Sequence, residues 1–234
     1  MTKEEIRVEW FGHSFILVDT GSARIAIDPH DGGSLNIQTF RITADYLLIT
    51  HDHYDHNAVE VINIPSKSNI YVGRRGSFTL DDIKITGHLS YHDKAEGSLR
   101  GTNTVYVLEI NEMKIVHAGD IGDISKPDGL KDAFSNVDIL ILPVGGTYTI
   151  DAYEAWKLVE ETGPRLVIPV HYWIPYSTLP LDPLEKFLNI AKARRYRSPT
   201  RAITVSRHSL PEKTTIVVMP PPMLKPGKNP KRGM

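Results

Sequence analysis

The chain has 234 residues, of which 41% are hydrophobic, so it is long enough to bury a large core. Lys and Arg total 27 against 28 Asp and Glu, a balance that argues against a protein built to coat nucleic acid or an anionic membrane. The sequence contains no cysteine, so disulfides and thiolate metal ligands are excluded and any metal ion must be held by nitrogen and oxygen.

Short strands dominate the first half of the chain. Runs rich in β-branched and aromatic residues, bounded by polar or glycine-containing turns, indicate these strands. Gly21-Ser22 and Asn111-Glu112 are predicted to form hairpin turns. The predicted strands are Ile6–Trp10, Ser14–Val18, Arg24–Ile27, Asp45–Thr50, Asn69–Val72, Ile83–Thr86, Thr104–Ile110 and Met113–His117.

The second half alternates strands with helices, which predicts an α/β fold. Apolar residues recur every three to four positions over Asp151–Thr162, so we expect a helix capped by Asp151 and ended by Gly163-Pro164. A second helix is predicted to begin at Asp182, with a proline in its first turn. Further strands are predicted at Val137–Pro143, Arg165–Val170, Ala202–Val205 and Thr214–Met219. We expect one domain over residues 1–219 and a basic tail, rich in proline and glycine, at residues 220–234.

Four side chains of the metal-binding type follow the apolar strand Asp45–Thr50, in the pattern H-x-H-x-D-H. His51 and His53 are two residues apart and can project to the same side, whereas Asp55 and His56 follow one turn later. Ligand sites in α/β sheets form beyond the carboxyl ends of strands. Imidazole and carboxylate groups suit zinc, iron, manganese or nickel. The motif therefore predicts one ion at His51 and His53 and a second ion at Asp55 and His56.

Four residues do not complete two coordination shells, and three other predicted strand ends carry candidates. His92 follows one of these strands, Asp120 follows Met113–His117, and His171 follows Arg165–Val170. From the residues alone, His88 is an alternative to His92 as a metal ligand. A constellation of ligand-type residues at four strand ends indicates a metal centre more strongly than a single motif does.

The ordered set of motifs resembles the metallo-β-lactamase superfamily, and within it the small single-domain metal-dependent hydrolases, a branch that includes lactonase-like members. Besides His51–Asn57, the resemblance rests on Trp10–His13, Asp28-Pro29, Tyr91–Asp93, Arg100–Thr104, Gly119-Asp120, Pro143–Thr149 and His171-Tyr172. The resemblance implies an αββα sandwich, with two mixed β-sheets face to face, flanked by helices, and the site at one edge.

The resemblance also implies a dinuclear site with two divalent metal ions, zinc in the first instance and manganese or iron as alternatives. The implied ligands are His51, His53 and His92 for one ion, Asp55, His56 and His171 for the other, and Asp120 as a bridge between them. The oxygen-reducing di-iron members of the family carry Glu where this chain has His53, so the resemblance favours a hydrolase.

Several other residues are candidates for supporting or catalytic roles. Asp28 is expected to accept a hydrogen bond from a ligand histidine, with a turn-forming role as the alternative. His13 either lines the site or is structural, and His30 is a candidate for the rim. Tyr148 and Tyr172 follow strand ends and are candidate donors to the substrate, with packing of the rim as the alternative for both.

The predicted activity is hydrolysis of a small ester, lactone or phosphoester by metal-activated water, which Asp55 orients and deprotonates. The alternatives are a phosphodiesterase or nuclease-like activity, and a non-catalytic protein that keeps metals for binding or stability. The basic clusters Arg74-Arg75 and Arg194–Arg197 are either solvated surface or a phosphate site, and no stripe of basic residues tracks a nucleic acid.

The expected partner is a small-molecule substrate, and the oligomeric state, including a homo-oligomer, is left open. No apolar run approaches the ~20 residues of a membrane span, and the N-terminus has no signal-peptide pattern. We therefore expect a cytoplasmic protein without membrane association.

Overall fold

A computed structural model describes residues 2, 4–127 and 129–222 of the chain. Sixteen strands supply most of the regular structure of these residues. The strands are β1 (Ile6–Trp10), β2 (Ile16–Asp19), β3 (Arg24–Ile27), β4 (Ile42–Thr43), β5 (Tyr46–Ile49), β6 (Ile62–Asn63), β7 (Ile70–Val72), β8 (Gly76–Leu80), β9 (Ile83–Tyr91), β10 (Thr102–Ile110), β11 (Met113–His117), β12 (Ile139–Pro143), β13 (Leu166–Val170), β14 (Arg194–Arg197), β15 (Ala202–Val205) and β16 (Thr215–Val218). The α-helices are α1 (Leu130–Ala133), α2 (Ala152–Thr162) and α3 (Leu184–Ile190). Single turns of 3-10 helix occur at Val59–Val61, Lys67–Asn69 and Arg207–Ser209.

The strands form two large mixed sheets and a two-stranded ribbon of β4 and β6, which confirms the predicted sandwich of two mixed sheets. One sheet has six strands in the order β15-β1-β2-β3-β5-β7, and the other has eight in the order β14-β16-β13-β12-β11-β10-β9-β8. A single hydrophobic cluster contains buried residues of both sheets, such as Val18 and Val107, so the main core lies between them.

The central strands of the six-stranded sheet are buried on both faces, which explains their near-continuous apolar sequences. In β5, Leu48 enters the main core between the sheets, whereas Leu47 and Ile49 belong to a second cluster with Phe15 and Ala58. Successive side chains of a strand point to opposite faces, so the second cluster covers the outer face of this sheet.

Helix α2 has the capping predicted for it. The Asp151 side chain accepts hydrogen bonds from the backbone N–H groups of Tyr153 and Glu154, and Gly163 ends the helix in the left-handed conformation. The helix packs against α3 through the rings of Trp156 and Phe187.

The predicted start of the second helix at Asp182 is wrong by two residues, because α3 begins at Leu184 and Pro183 is its extended N-cap. Asp182 is held outside the helix by its backbone, which donates to the carbonyl of Gly145 and accepts from the N–H of Trp173. Pro183 therefore indicates the start of α3 only to within a residue or two, because it stands just before the helix and not inside its first turn.

Pairing between strands extends or adds elements that local patterns miss. The strand predicted at Ile83–Thr86 continues to Tyr91, because β9 pairs residue by residue with β10. Strand β8 was not predicted, although it forms one edge of the eight-stranded sheet. Gly87 is needed in β9, since a Cβ atom there would lie 2.0 Å from the carbonyl oxygen of Arg74.

The segment 193–210, which matched no motif, supplies an edge strand to each large sheet. Strand β14 pairs with β16 at the edge of the eight-stranded sheet, and β15 pairs with β1 at the edge of the six-stranded sheet. All four residues of β14, Arg-Arg-Tyr-Arg, are exposed. The segment therefore belongs to the sandwich itself and is not a separate loop.

Strands β5, β9, β11 and β13 all run toward the same edge of the sandwich, where each is followed by predicted ligand residues. Two hydrogen bonds join the sheets there: the N–H of Thr104 donates to the carbonyl of Thr50, and the Tyr106 hydroxyl donates to the carbonyl of Ile49. The metal motif is thus fixed to both sheets.

Two sequence predictions concern the chain as a whole. Residues 223–234, most of the predicted basic tail, lie outside the described residues, so the boundary after residue 219 stays a prediction. Among the residues described, no helix has the length and apolar character needed to cross a membrane.

Candidate metal centre

The H-x-H-x-D-H motif forms a tight turn directly after β5. The N–H of His53 donates to the carbonyl of His51, and the N–H of His56 donates to the carbonyl of His53. These bonds fold the backbone back on itself, so the ring of His51 lies with its centroid 4.4 Å from that of His53 and 4.3 Å from that of His56. The motif therefore concentrates its imidazoles at one point.

Asp120 brings the other strand ends to this cluster. Its Oδ2 atom lies 3.1 Å from Nε2 of His171, 3.3 Å from Nε2 of both His56 and His92, and 4.0 Å from Nε2 of His51. One carboxylate oxygen thus faces four imidazole nitrogens contributed by three segments of the chain. This position is compatible with the bridging role, which stays a prediction.

The ligand-type side chains fall into three overlapping groups, with the candidate ligand atoms of each group within 4.8 Å of one another. The groups are His51, His53 and His92; His13, Asp55, His56 and His171; and His51, His56 and Asp120. The first two correspond to the division of ligands implied by the resemblance, with His13 added, and the third connects them. The structure therefore brings all seven predicted ligands together, although their binding of metal stays a prediction.

Unsatisfied polar atoms at the centre of the cluster fit bound cations. Within the described residues, Nε2 of His51, His56 and His171 and Oδ1 of Asp120 are buried without a hydrogen bond of good geometry. Buried polar atoms are rarely left unpaired, because removing them from water is costly. Imidazole nitrogen and carboxylate oxygen that point at one another across a shared space are a donor set for zinc, manganese or iron.

The electrostatics of the cluster couple buried imidazoles to ionised carboxylates, and the pKa shifts of the histidines differ in direction. Burial lowers the pKa of His51 to about 3, which keeps the ring in the form that metal ions bind. Burial opposes the ionisation of Asp120, but nearby His171 and His56 outweigh it and hold the pKa of this carboxyl well below its usual range. Burial disfavours the charged form of His56 and lowers its pKa, but the nearby carboxylates of Asp120 and Asp28 outweigh burial, so the pKa of this imidazole is raised.

Asp28 lies beneath the metal motif and orients two of its histidines. Its fully buried carboxylate accepts hydrogen bonds from the N–H and the hydroxyl of Thr50, at 2.7 and 2.8 Å. The Thr50 oxygen lies 2.9 Å from Nδ1 of His51, and because its own proton goes to Asp28, it accepts from that nitrogen. Asp28 also lies 3.1 Å from Nδ1 of His56. The His51 ring therefore keeps Nε2 free toward the cluster, whereas His56 is held near Asp28 by charge, at a geometry that is not that of a hydrogen bond.

Asn103 has the corresponding role for Asp120. Its side-chain oxygen accepts from the N–H of Asp120 at 3.0 Å, while its amide nitrogen donates to the carbonyl of Ala118 and to the hydroxyl of Ser90. Gly119 lies between them with a φ of 56°, and a Cβ atom there would be 2.3 Å from the Asn103 oxygen. This contact gives a physical reason for a Gly-Asp pair beside Arg100–Thr104, a connection that the sequence did not show.

His13 belongs to the cluster, a role that its sequence context left open between lining the site and a structural hydrogen bond. Its Nε2 lies 3.0 Å from Oδ2 of Asp55, and its ring centroid lies 4.2 Å from that of His171. The residue has a positive φ of 49°, and its carbonyl accepts from the indole N–H of Trp10 and from the N–H of His171. The Gly-His dipeptide after β1 was the available signal, but no spacing connects it to a ligand 42 residues away.

The two candidate tyrosines lie in different surroundings. The carbonyl of Tyr148 accepts from Nδ1 of His92 at 3.0 Å, and the Tyr148 ring is half-buried beside the cluster. Tyr172 is buried, and its ring lies 5.4 Å from that of Trp10 in the main core. This location favours the packing alternative for Tyr172.

The remaining histidines lie outside the three groups, as far as the described residues show. His30 is fully buried with Nε2 3.2 Å from the carbonyl of Phe11, so it is not at the rim. His117 is buried behind the cluster, where Nε2 donates to the carbonyl of Ser14 and Nδ1 accepts from the N–H of Gly119. His88 lies within β9, four residues before His92. His92 is the one of the two that lies beside Asp120, which favours it as the ligand candidate.

Comparisons with known proteins agree with this architecture. Residues 7–171 match the model of the beta-lactamase superfamily domain. The UPF0173 metal-dependent hydrolase of Thermococcus onnurineus is 31% identical over 201 residues, which cover 75% of this chain and 89% of the relative. A crystal structure from Thermotoga maritima, provisionally named a Zn-dependent hydrolase of the metallo-β-lactamase superfamily, is 28% identical with a TM-score of 0.71 and covers 92% of this chain and 98% of its own. A metallo hydrolase from Ignicoccus hospitalis shares the fold at 22% identity, with a TM-score of 0.63 and coverage of 86% of this chain and 99% of its own.

Two mixed sheets with a cluster of histidines and aspartates at one edge define a protein of the metallo-β-lactamase fold. The chain belongs to the beta-lactamase superfamily and, within it, to the UPF0173 family of metal-dependent hydrolases. The lactonase-like branch stays a prediction.

Proposed function

We propose that the protein hydrolyses a small ester, lactone or phosphoester and that it uses two divalent metal ions, zinc in the first instance. The observation that carries the proposal is the position of Asp120 Oδ2, within 3.1 to 4.0 Å of Nε2 of four histidines. A structural metal site needs only one closed shell. Two ligand groups that share a bridging carboxylate exceed this need and favour catalysis.

The ligand types and a relative support the choice of metal. The set contains imidazoles and carboxylates but no thiolate, which suits zinc and leaves manganese and iron as alternatives. The similar structure from Thermotoga maritima is provisionally named for zinc. When bound, such ions supply Lewis acidity and lower the pKa of water toward about 7.

Asp55 is the residue to which we assign proton transfer. Its side chain is 12% exposed at the cluster, and His13 holds its Oδ2 atom through Nε2 at 3.0 Å. The Oδ1 atom is then the oxygen that orients the attacking water and accepts its proton. His13 acts as a positioning residue for this carboxylate. We assign no substrate contact to Tyr172, because it is buried in the core.

A small molecule is the substrate that we propose. The basic cluster at Arg194–Arg197 forms the edge strand β14 and includes no residue of the candidate metal centre, so it does not extend the site into a track for nucleic acid.

The test combines metal analysis with activity. We expect about two metal equivalents per chain by mass spectrometry, since the resemblance implies two sets of ligands, and their loss in the His51→Ala/His171→Ala double variant. His208→Ala, at an exposed histidine outside the cluster, is the matched control and should retain both ions. Dipicolinate treatment should abolish turnover of ester, lactone and phosphodiester panels, and zinc, manganese or iron should restore it. A protein that binds no metal after reconstitution would contradict the proposal.

A further inference from the structure

The loop of residues 93–101, between β9 and β10, is held rigidly beside the metal cluster. The Asp93 carboxylate accepts hydrogen bonds from four backbone N–H groups of the loop, at 2.8 to 3.1 Å. The donors are Ala95, Gly97, Leu99 and Arg100. The loop closes on the candidate ligand His92, whose N–H donates to the carbonyl of Gly101. Its side chains are therefore carried at a fixed place next to the site.

Within this loop, one charge has no counter-charge. Lys94 pairs with Glu154, Glu96 pairs with Lys126, and the charge of Asp93 is met by its four N–H donors. The guanidinium of Arg100 makes no ion pair or side-chain hydrogen bond with the residues that the structure describes, and it lies over the ring of Tyr148, 4.5 Å from the ring centroid. A guanidinium that lies over an aromatic ring keeps its N–H groups, which point outward in its own plane, free to bind an anion.

Arg100 is connected to the metal cluster through one residue. Tyr148 holds the Arg100 guanidinium with its ring and accepts from Nδ1 of His92 with its carbonyl oxygen at 3.0 Å. Exposed apolar side chains belong to both segments that bear on the cluster: Leu99, which precedes Arg100 in the loop, is 78% exposed, and Tyr54, in the turn of the metal motif, is 59% exposed. The segments beside the candidate metal centre therefore present a cation together with exposed apolar side chains.

We propose that Arg100 is the anion subsite of the active site, where it binds a carboxylate or phosphate group of the substrate while the bond to be hydrolysed lies at the metal cluster. The inference rests on the hydrolase function proposed above. It narrows the substrate to a small amphipathic anion, with an apolar part against Leu99 and Tyr54.

Three acetate esters with the same scissile bond test the subsite. Methyl 4-acetoxybenzoate is neutral, 4-acetoxybenzoate carries a carboxylate, and 4-acetoxyphenyl phosphate carries a phosphate. Arg100→Gln should lower kcat/KM for one or both anionic esters about tenfold and leave the neutral ester within about twofold, since only the anions lose a charged hydrogen bond. The ester with the larger loss identifies the anion. Arg100→Lys, which keeps the charge but not the planar fork, should fall between the two proteins.

Arg201→Gln is the matched control, because the Arg201 guanidinium also stacks on an aromatic ring, 4.4 Å from the centroid of Phe40. It should leave all three esters unchanged. An equal loss for all three esters in the Arg100 variants, or the same selective loss in the Arg201 variant, would overturn the subsite.

A binding measurement separates this inference from the proposed function. Ligand-observed NMR with metal-loaded protein gives the affinity for 4-hydroxybenzoate and 4-hydroxyphenyl phosphate, whether or not any ester is turned over. About tenfold weaker binding in Arg100→Gln, with unchanged binding in Arg201→Gln, supports the subsite even if no ester reacts. If the unmodified protein binds neither anion, or binds them no better than the Arg100 variant does, the subsite is refuted while the hydrolase proposal stands or falls on its own assays.

Discussion

Replacement of Asp28 by Asn tests how strongly the residues behind the metal motif determine its properties. The carboxylate is completely buried and has a φ of 51°, a left-handed conformation that Asn adopts readily, so the substitution adds no backbone strain. Asp28 accepts two hydrogen bonds from Thr50 and lies 3.1 Å from Nδ1 of His56. The amide keeps one acceptor oxygen but places an NH₂ group where a second acceptor is needed.

The expected loss follows from these contacts. Hydrogen bonds to a charged group contribute about 1.5–3 kcal/mol each, and one of the two from Thr50 is lost, so we expect the free energy of unfolding of the metal-free protein to fall by about 2 kcal/mol. Metal affinity should fall about 10- to 100-fold, because the partner that orients His56 and, through Thr50, His51 is weakened.

Urea denaturation in the presence of chelator measures the first effect, and competition titration with a zinc indicator measures the second. Asp45→Asn is the control, because the half-buried Asp45 carboxylate accepts a single hydrogen bond from the described part of the chain, from the N–H of Arg24 at 2.8 Å. It should cost at most about 1 kcal/mol and leave metal affinity unchanged. The reasoning is refuted if Asp28→Asn stays within about 0.5 kcal/mol of the unmodified protein and binds zinc equally well.

Three further predictions concern other parts of the structure. His13→Asn should weaken metal binding roughly tenfold in a competition titration with unchanged circular dichroism, because Asp55 loses its partner; equal affinity would show that His13 is only structural. Gly87→Ala should destabilise the fold by about 1–3 kcal/mol in urea, since its Cβ would meet a carbonyl oxygen at 2.0 Å, whereas Gly33→Ala, with its nearest atom at 3.9 Å, should be neutral. Asp151→Ala should cost about 1 kcal/mol through the lost helix cap, seen as a lower Tm with unchanged kcat, and a Tm equal to that of the unmodified protein would contradict the capping argument.

The sequence predicted the parts of the molecule that local patterns and ordered motifs determine. Strand β1 and helix α2 follow from alternation, helical periodicity and capping, and the ligand candidates follow from their places after strand ends. Strand β8 escaped prediction because most of its residues, Gly-Ser-Phe-Thr-Leu, are exposed and show no apolar alternation, although it forms a hairpin with β9. The extension of β9 and strand β14 depend on pairing with β10 and β16, which their own sequences do not record.

The supporting residues of the site were harder to predict for the same reason. Asp28 was expected to accept from a ligand histidine, but its double bond to Thr50 was not foreseen. The roles of His13 and Asn103 depend on contacts with Asp55 and Asp120, which are distant in the sequence. Each of these contacts joins residues carried by different strands of one sheet, so it arises only when that sheet assembles, and no local spacing records it.

The exposed arginines of β14 have a consequence for the behaviour of the protein at high concentration. An outermost strand leaves backbone N–H and C=O groups unpaired, and two copies can join through such edges into extended sheets. A second copy aligned on β14 would bring arginines of both chains to within the ~4.8 Å spacing of paired strands, where their charges repel. The Arg-Arg-Tyr-Arg strand thus protects this edge of the molecule against self-association, and removal of its charges would make the protein more prone to aggregate.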